Sequence, residues 1–172
     1  MKAEPQSNPE LTRLFELIEH LPVAMLTTTN DEGALASRPM APLAIDGSGT
    51  LWFFTETGTE KLERLEALNL SFSDSAHATY VSLSGHGEID TDRERIRRLW
   101  TSFAKPWFPE GPDSPKLALL KVVPEAAEYW DAPNSKMVRK FAMAAPIVAG
   151  KPLGLGEHDR LTDLPQRSPH AA

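Results

Sequence analysis

Cysteine is absent from this 172-residue chain, which removes disulfides, thiolate nucleophiles and cysteine-bound metals from consideration. A basic surplus is missing as well. Eighteen Lys and Arg face 24 Asp and Glu, a net charge of −6, so neither nucleic acid nor an acidic membrane is expected as a general partner. No apolar run approaches the roughly 18 residues of a spanning helix. The start, Met-Lys-Ala-Glu-Pro-Gln-Ser-Asn-Pro, has no apolar signal core, and the expectation is a cytoplasmic protein. The histidines (His20, His77, His86, His158 and His170) show no metal-ligand spacing, so no metal site is expected. Ser-His-Asp, HExxH, Walker and GxGxxG patterns are lacking too, which leaves hydrolysis and Rossmann-type redox chemistry without support. No internal repeat stands out. What is present, 41% hydrophobic and 24% charged residues, suits one ordinary domain with a proper core.

Local pattern organises the chain. Asn8-Pro9 reads as an N-cap and first helical residue, and Leu11, Leu14, Phe15 and Ile18 recur at helical spacing until Pro22. Val23 to Thr29, the turn Asn30-Asp31-Glu32-Gly33, and Ala34 to about Leu43 read as strand, turn and strand. Pro39 and Pro42 mark the return strand as an edge or a bulge. After Asp46-Gly-Ser-Gly49 comes a strand over Leu51 to Thr55. Thr57 and Glu60 form a capping-box pattern for a helix buried through Leu62, Leu65 and Leu68 and ending near Asn69. Strands follow at Leu70 to Asp74 and at Tyr80 to Ile89, the latter alternating Val81 and Leu83 with Tyr80, Ser82 and Ser84.

A second capping box, Thr91 to Glu94, precedes an amphipathic helix through Ile96, Leu99, Trp100 and Phe103. Leu117 to Val123 and Ala127 to Trp130 read as closing strands, with a last short helix within 135–149. The predicted organisation is a domain over 1–150 and a loose tail over 151–172. Short strands, turns and no alternating βα units predict a mainly β fold, an antiparallel barrel of about six or seven strands with peripheral helices.

One stretch carries a chemical signal. Arg38 alternates on a strand, and Thr59 and Lys61 open the expected helix. A first-turn lysine opposes the helix dipole by roughly 0.3–1 kcal/mol. A bound phosphate reverses that sign, because backbone N–H groups and cations then converge on one anion. Taken singly, each residue is explained by solvation; their combination across one hairpin and one helix start points to an anion. Pro39 removes a ladder donor, which suits a backbone that faces a ligand. Trp107 and Phe108 sit in a proline-braced loop, Lys105 to Pro112, where aromatics either pack inward or serve an interface or a flat ligand. Tyr129 and Trp130 must point to opposite faces of a strand, so one of them leaves the barrel interior.

These pieces together resemble a known family. Arg38-Pro39-Met40, Phe54-Thr55, Thr59-Glu60-Lys61, Tyr80-Val-Ser-Leu-Ser-Gly85, Leu99-Trp100, Ala104-Lys-Pro-Trp-Phe-Pro-Glu-Gly111 and Glu128-Tyr129-Trp130-Asp131 carry the likeness. Over roughly residues 10–150 the chain resembles the pyridoxamine 5′-phosphate oxidase-like superfamily of FMN-binding split barrels, and within it the general stress protein branch. The resemblance implies a homodimer with FMN in clefts between subunits. Arg38 and Lys61 would hold the phosphate, with a hydrogen bond from Thr59. Pro39 and Met40 would meet the isoalloxazine ring, and Phe54 and Thr55 would flank the ring and ribityl chain. Trp107 and Trp130 would come from the other subunit to cover the flavin.

Departures qualify the implied activity. Glu60 stands where the oxidases have a second basic residue, and Tyr80 where they offer a glutamine. Residues 151–172 hold no Trp-Arg segment and no Arg-x-His element. The resemblance therefore implies a flavin-binding stress protein with possible oxidoreductase chemistry carried by the flavin, and not a true pyridoxamine phosphate oxidase. One phosphate cation fewer implies weaker FMN retention and room for FAD. No catalytic acid or base can be named, nor the small-molecule redox partner. The alternative is a non-enzymatic binder of flavin, deazaflavin or haem on the same barrel, since fold alone does not decide function. A haem would need an axial ligand, for which only His86 is loosely placed.

Overall fold

The computed structural model describes residues 1–6, 9–58, 64–131 and, as backbone, 157–162. Its elements are β1 (Lys2–Ala3), α1 (Pro9–Ile18), β2 (Ala24–Thr29), β3 (Leu35–Met40), β4 (Pro42–Ile45), β5 (Leu51–Glu56), β6 (Leu68–Asp74), β7 (Thr79–Asp90), α2 (Arg93–Leu99), β8 (Leu117–Asp131) and β9 (Glu157–Thr162). The strands form one sheet in the order β1-β4-β5-β8-β7-β6-β2-β3, with β9 beside β8. Among the described residues only the β1–β4 pair is parallel.

Closure follows from chain connectivity. β3 and β4 lie towards opposite ends of the strand order, yet only Ala41 separates them in sequence. Two Cα steps of about 3.8 Å each cannot span an open sheet, so the sheet curls until its ends meet. The result is the expected mainly β, split-barrel architecture with peripheral helices. Among the described residues nine strands take part rather than six or seven. The expected return strand divides at Ala41 into β3 and β4, and β1 and β9 add to the rim. β9 lies within the segment expected as a tail.

Two apolar clusters flank the wall made by β5 and β8. Leu11, Leu14, Phe15 and Ile18 of α1 pack with Leu26, Phe53, Leu70, Leu83, Leu120 and Val122 in the barrel interior. On the other face Trp52, Phe54, Leu117 and Leu119 pack against Ile96 of α2 and Ala104. With both faces covered, β5 and the first part of β8 read as continuous apolar runs instead of alternating ones. Each fully buried Leu or Phe here contributes about 1.5–3 kcal/mol relative to exposure.

The structure departs from the sequence expectations in several places. Leu65 and Leu68 are buried, but residues 64–67 are not helical and Leu68 begins β6 opposite Gly85. A Cβ at Gly87 would stand 3.0 Å from Leu68 Cδ2 and 3.3 Å from Leu65 Cβ. Leu65 and Leu68 thus both pack where Gly87 of β7 has no side chain, a pair whose spacing mimics a helix. The remainder of that expected helix and the one within 135–149 lie outside the described residues. Asp92, not Thr91, caps α2, its carboxylate accepting from the N–H groups of Glu94 at 2.9 Å and Arg95 at 3.3 Å. Phe103 falls beyond α2 in a short 3-10 turn, Ser102–Ala104. The two closing strands are one, β8, bent where its register with β7 shifts between Ser84 and Gly85. Among the described residues no helix is long and apolar enough to cross a membrane.

Candidate functional site

The split in the barrel lies between β3 and β5. Pro42 of β4 stands opposite Phe53 of β5. Continued along the chain, that register would set Met40 against Thr55 and Arg38 against Thr57. Among the described residues the ladder stops at Pro42: β3 pairs only with β2, and beyond Phe53 β5 pairs only with β8. Two strand edges therefore face each other across a wedge. Pro39 contributes no N–H to its side, which lowers the tendency of that edge to recruit a further strand.

Arg38 sits on this wedge. Its Cα partner on β2 is the buried Leu26, so its side chain starts from the inner face of the sheet. The half-buried guanidinium donates from Nη2 to Thr28 Oγ1 at 2.7 Å. Burial pushes the Arg38 pKa below its ordinary value, as expected for a charge drawn out of water. Met40, two residues on, is half-buried against the barrel core. Thr55 lies on the same side of β5 as the fully buried Phe53 and is half-buried. Arg38, Met40 and Thr55 thus share the inner side.

The other expected site residues divide between different faces. Phe54 points to the opposite side of β5, its ring centroid 5.6 Å from that of Trp100 and 5.9 Å from that of Phe108. Pro39 lies outward beside Met25. Tyr80 and Trp130 are direct cross-strand partners on the outer face of β7 and β8, 45% and 39% exposed. Tyr129, by contrast, is buried, as alternation requires. Trp107 is 62% exposed and stacks obliquely on Phe103 at 5.5 Å, away from the aromatic cluster around Phe54. Thr59 and Lys61 lie outside the described residues.

Sequence reading overlooked Thr28. It is 5% exposed, and it was hidden in the run Thr27-Thr28-Thr29; the available signal was its place two residues after the inward Leu26. His86 has Nδ1 on Glu125 Oε1 at 2.6 Å, and Lys121 donates to the neighbouring Glu88 at 2.8 Å, an arrangement explained by surface ion pairing. Among the described residues no group of three or more His, Asp or Glu could hold a metal ion.

Comparison with known proteins agrees with the fold. Residues 9–153 match the family described as pyridoxamine 5′-phosphate oxidase like. The protein bli-3 of Neurospora crassa is 30% identical over 142 residues, which is 75% of this chain and 68% of that protein. A Clostridium acetobutylicum protein related to general stress protein 26 of B. subtilis superposes with a TM-score of 0.63 at 30% identity, over 70% of this chain and 87% of that one. The general stress FMN/FAD binding protein of Xanthomonas citri gives 0.61 at 27% identity, over 87% of this chain and all of its own, 100%.

Proposed function

The chain belongs to the pyridoxamine 5′-phosphate oxidase like family, and on that footing we propose that it is a flavin-binding protein of the general stress type, holding FMN between two copies of the chain. FAD is the alternative cofactor. The observation that carries this reading is Arg38, a half-buried cation held by the hydroxyl of buried Thr28 and set on β3, whose outer edge has no strand partner among the described residues. A flavin phosphate is dianionic and calls for cations, and its ring calls for apolar walls. Arg38 meets the first need, with Lys61 and Thr59 as its proposed companions; Pro39, Met40 and Thr55 border the wedge. The Xanthomonas citri relative, a general stress FMN/FAD binding protein, supports the flavin.

Dimerisation is proposed because the candidate residues of one chain are spread over separate faces. Tyr80, Trp130 and Trp107 are exposed aromatics that could serve a flavin held at another chain's wedge. When bound, the flavin would supply hydride or electron transfer. The chain's own residues would bind the phosphate, orient the ring and limit solvent access. Glu60, Tyr80 and the lack of an Arg-x-His element argue against true pyridoxamine phosphate oxidase activity.

The test is the visible spectrum of purified protein before and after loading with FMN and removing the excess, followed by titration of wild type and Arg38→Ala. Oxidised flavin bands should persist. Arg38→Ala should weaken FMN binding by about 1.5–3 kcal/mol, the loss of a hydrogen bond to a charged group. A protein that ignores both FMN and FAD would refute the reading, and a Soret band would move it to haem.

A further inference from the structure

We propose that Thr28 is a positioning residue that aims Arg38 at the flavin phosphate; this rests on the flavin reading above. Leu26 and Thr28 lie on the same side of β2, facing the interior. The Thr28 side chain is thereby carried to the inner face at the end of the buried row, where the residue is 5% exposed. A buried hydroxyl without a partner is costly, and here it accepts from Arg38 Nη2 at 2.7 Å.

The chemistry of the acceptor matters. A carboxylate at this place would take up the charge of the guanidinium along with its hydrogen. A threonine hydroxyl is neutral, so this hydrogen bond fixes one nitrogen of the planar fork and itself adds no negative charge there. Its β-branched side chain has restricted χ1 freedom on a strand, which makes it a firmer anchor than a longer polar residue. Arg38 comes from β3 and Thr28 from β2, and their Cα partners are Leu26 and Ala36 respectively. The contact is therefore a diagonal cross-strand pair, directed along the sheet towards the end of β2. Burial disfavours the charged guanidinium and strengthens its interaction with any anion that reaches it.

The experiment compares affinities for FMN and for riboflavin, which has the same ring and no phosphate, in wild type, Thr28→Val, Thr28→Ser and Arg38→Ala. Wild type should prefer FMN. Thr28→Val should reduce the FMN-to-riboflavin affinity ratio about tenfold, the scale of one hydrogen bond to a charged group, and Thr28→Ser should restore it. In an Arg38→Ala background Thr28→Val should change the ratio no further. If Thr28→Val fails to fold, Thr28→Ala gives the same comparison without adding volume. A ratio unchanged in the folded variant, or equal losses for both ligands, would overturn the role of Thr28 while leaving the phosphate reading intact. A wild type that binds FMN no better than riboflavin would remove the phosphate reading and this inference with it.

Discussion

Gly85→Ala tests the bend on which the barrel wall depends. A Cβ at Gly85 would lie 2.1 Å from the Val123 carbonyl oxygen and 3.0 Å from Pro124 Cα. Both are backbone atoms, so no side-chain rotation relieves the clash. β8 would have to move by about an ångström to restore ordinary contact. It would move where its outer partner changes, from β5 through Val122 to β9 from Ala126. Leu83, Val122 and Ala127 beside the bend are at most 1% exposed, and packing this dense transmits the shift. Overpacking costs about 1–3 kcal/mol, and a displaced bulge puts this site at the upper end, near 3 kcal/mol. At about 2–4 °C per kcal/mol for a chain of this size, Tm should fall by about 6–12 °C. Gly33→Ala is the control. Gly33 has φ +80° and no atom within 4 Å of an added Cβ, so only the left-handed conformation opposes it, about 1–2 kcal/mol. Urea unfolding followed by tryptophan fluorescence should place Gly85→Ala below Gly33→Ala, with m unchanged. A Gly85→Ala midpoint within 1 kcal/mol of wild type would refute the argument.

Asp74 gives a pH prediction. The hydrogen bond from His77 at 2.6 Å is the main reason that its pKa falls from the ordinary 3.8 to about 2. A depressed carboxylate pKa stabilises the fold above the unfolded value and loses that contribution as pH falls towards the folded one. The stability gap between wild type and His77→Ala should therefore be full near pH 5 and narrow between 3.8 and about 2; a constant gap across that window would count against the pairing. Trp107→Ala removes an exposed aromatic and should leave the unfolding midpoint within about 0.5 kcal/mol. It should nevertheless alter flavin fluorescence, FMN affinity or dimer mass, and if all three stay unchanged Trp107 has no part in the cofactor site.

Local pattern alone determined much of this protein. The apolar spacing of Leu11, Leu14, Phe15 and Ile18 set α1, and alternation along β7 placed Val81 and Leu83 inside with Tyr80 outside. The choice between Tyr129 and Trp130 as the outward residue was open until burial decided it. Periodicity is a property of neighbouring residues, so it survives whatever the rest of the chain does. Where local spacing was ambiguous it misled. Leu65 and Leu68 fit a helical face equally well, and only their packing at Gly87 on a distant strand shows why they belong to a loop and to β6. Likewise the residues of two expected closing strands join into one, because a glycine on β7 lets β8 bend without breaking.

The candidate site divides along the same line. Arg38 stood out in the sequence through its combination with Thr59 and Lys61 across one hairpin and one expected helix start. Thr28, ten positions earlier, did not, since nothing in a run of threonines says which one meets a guanidinium. That contact exists because β2 and β3 pair in one register, and the wedge it borders exists because Ala41 ties β3 to β4 across the closing sheet. Register and closure are set by contacts between residues far apart in the chain, whose energies are summed over the whole core; they leave no local period to read.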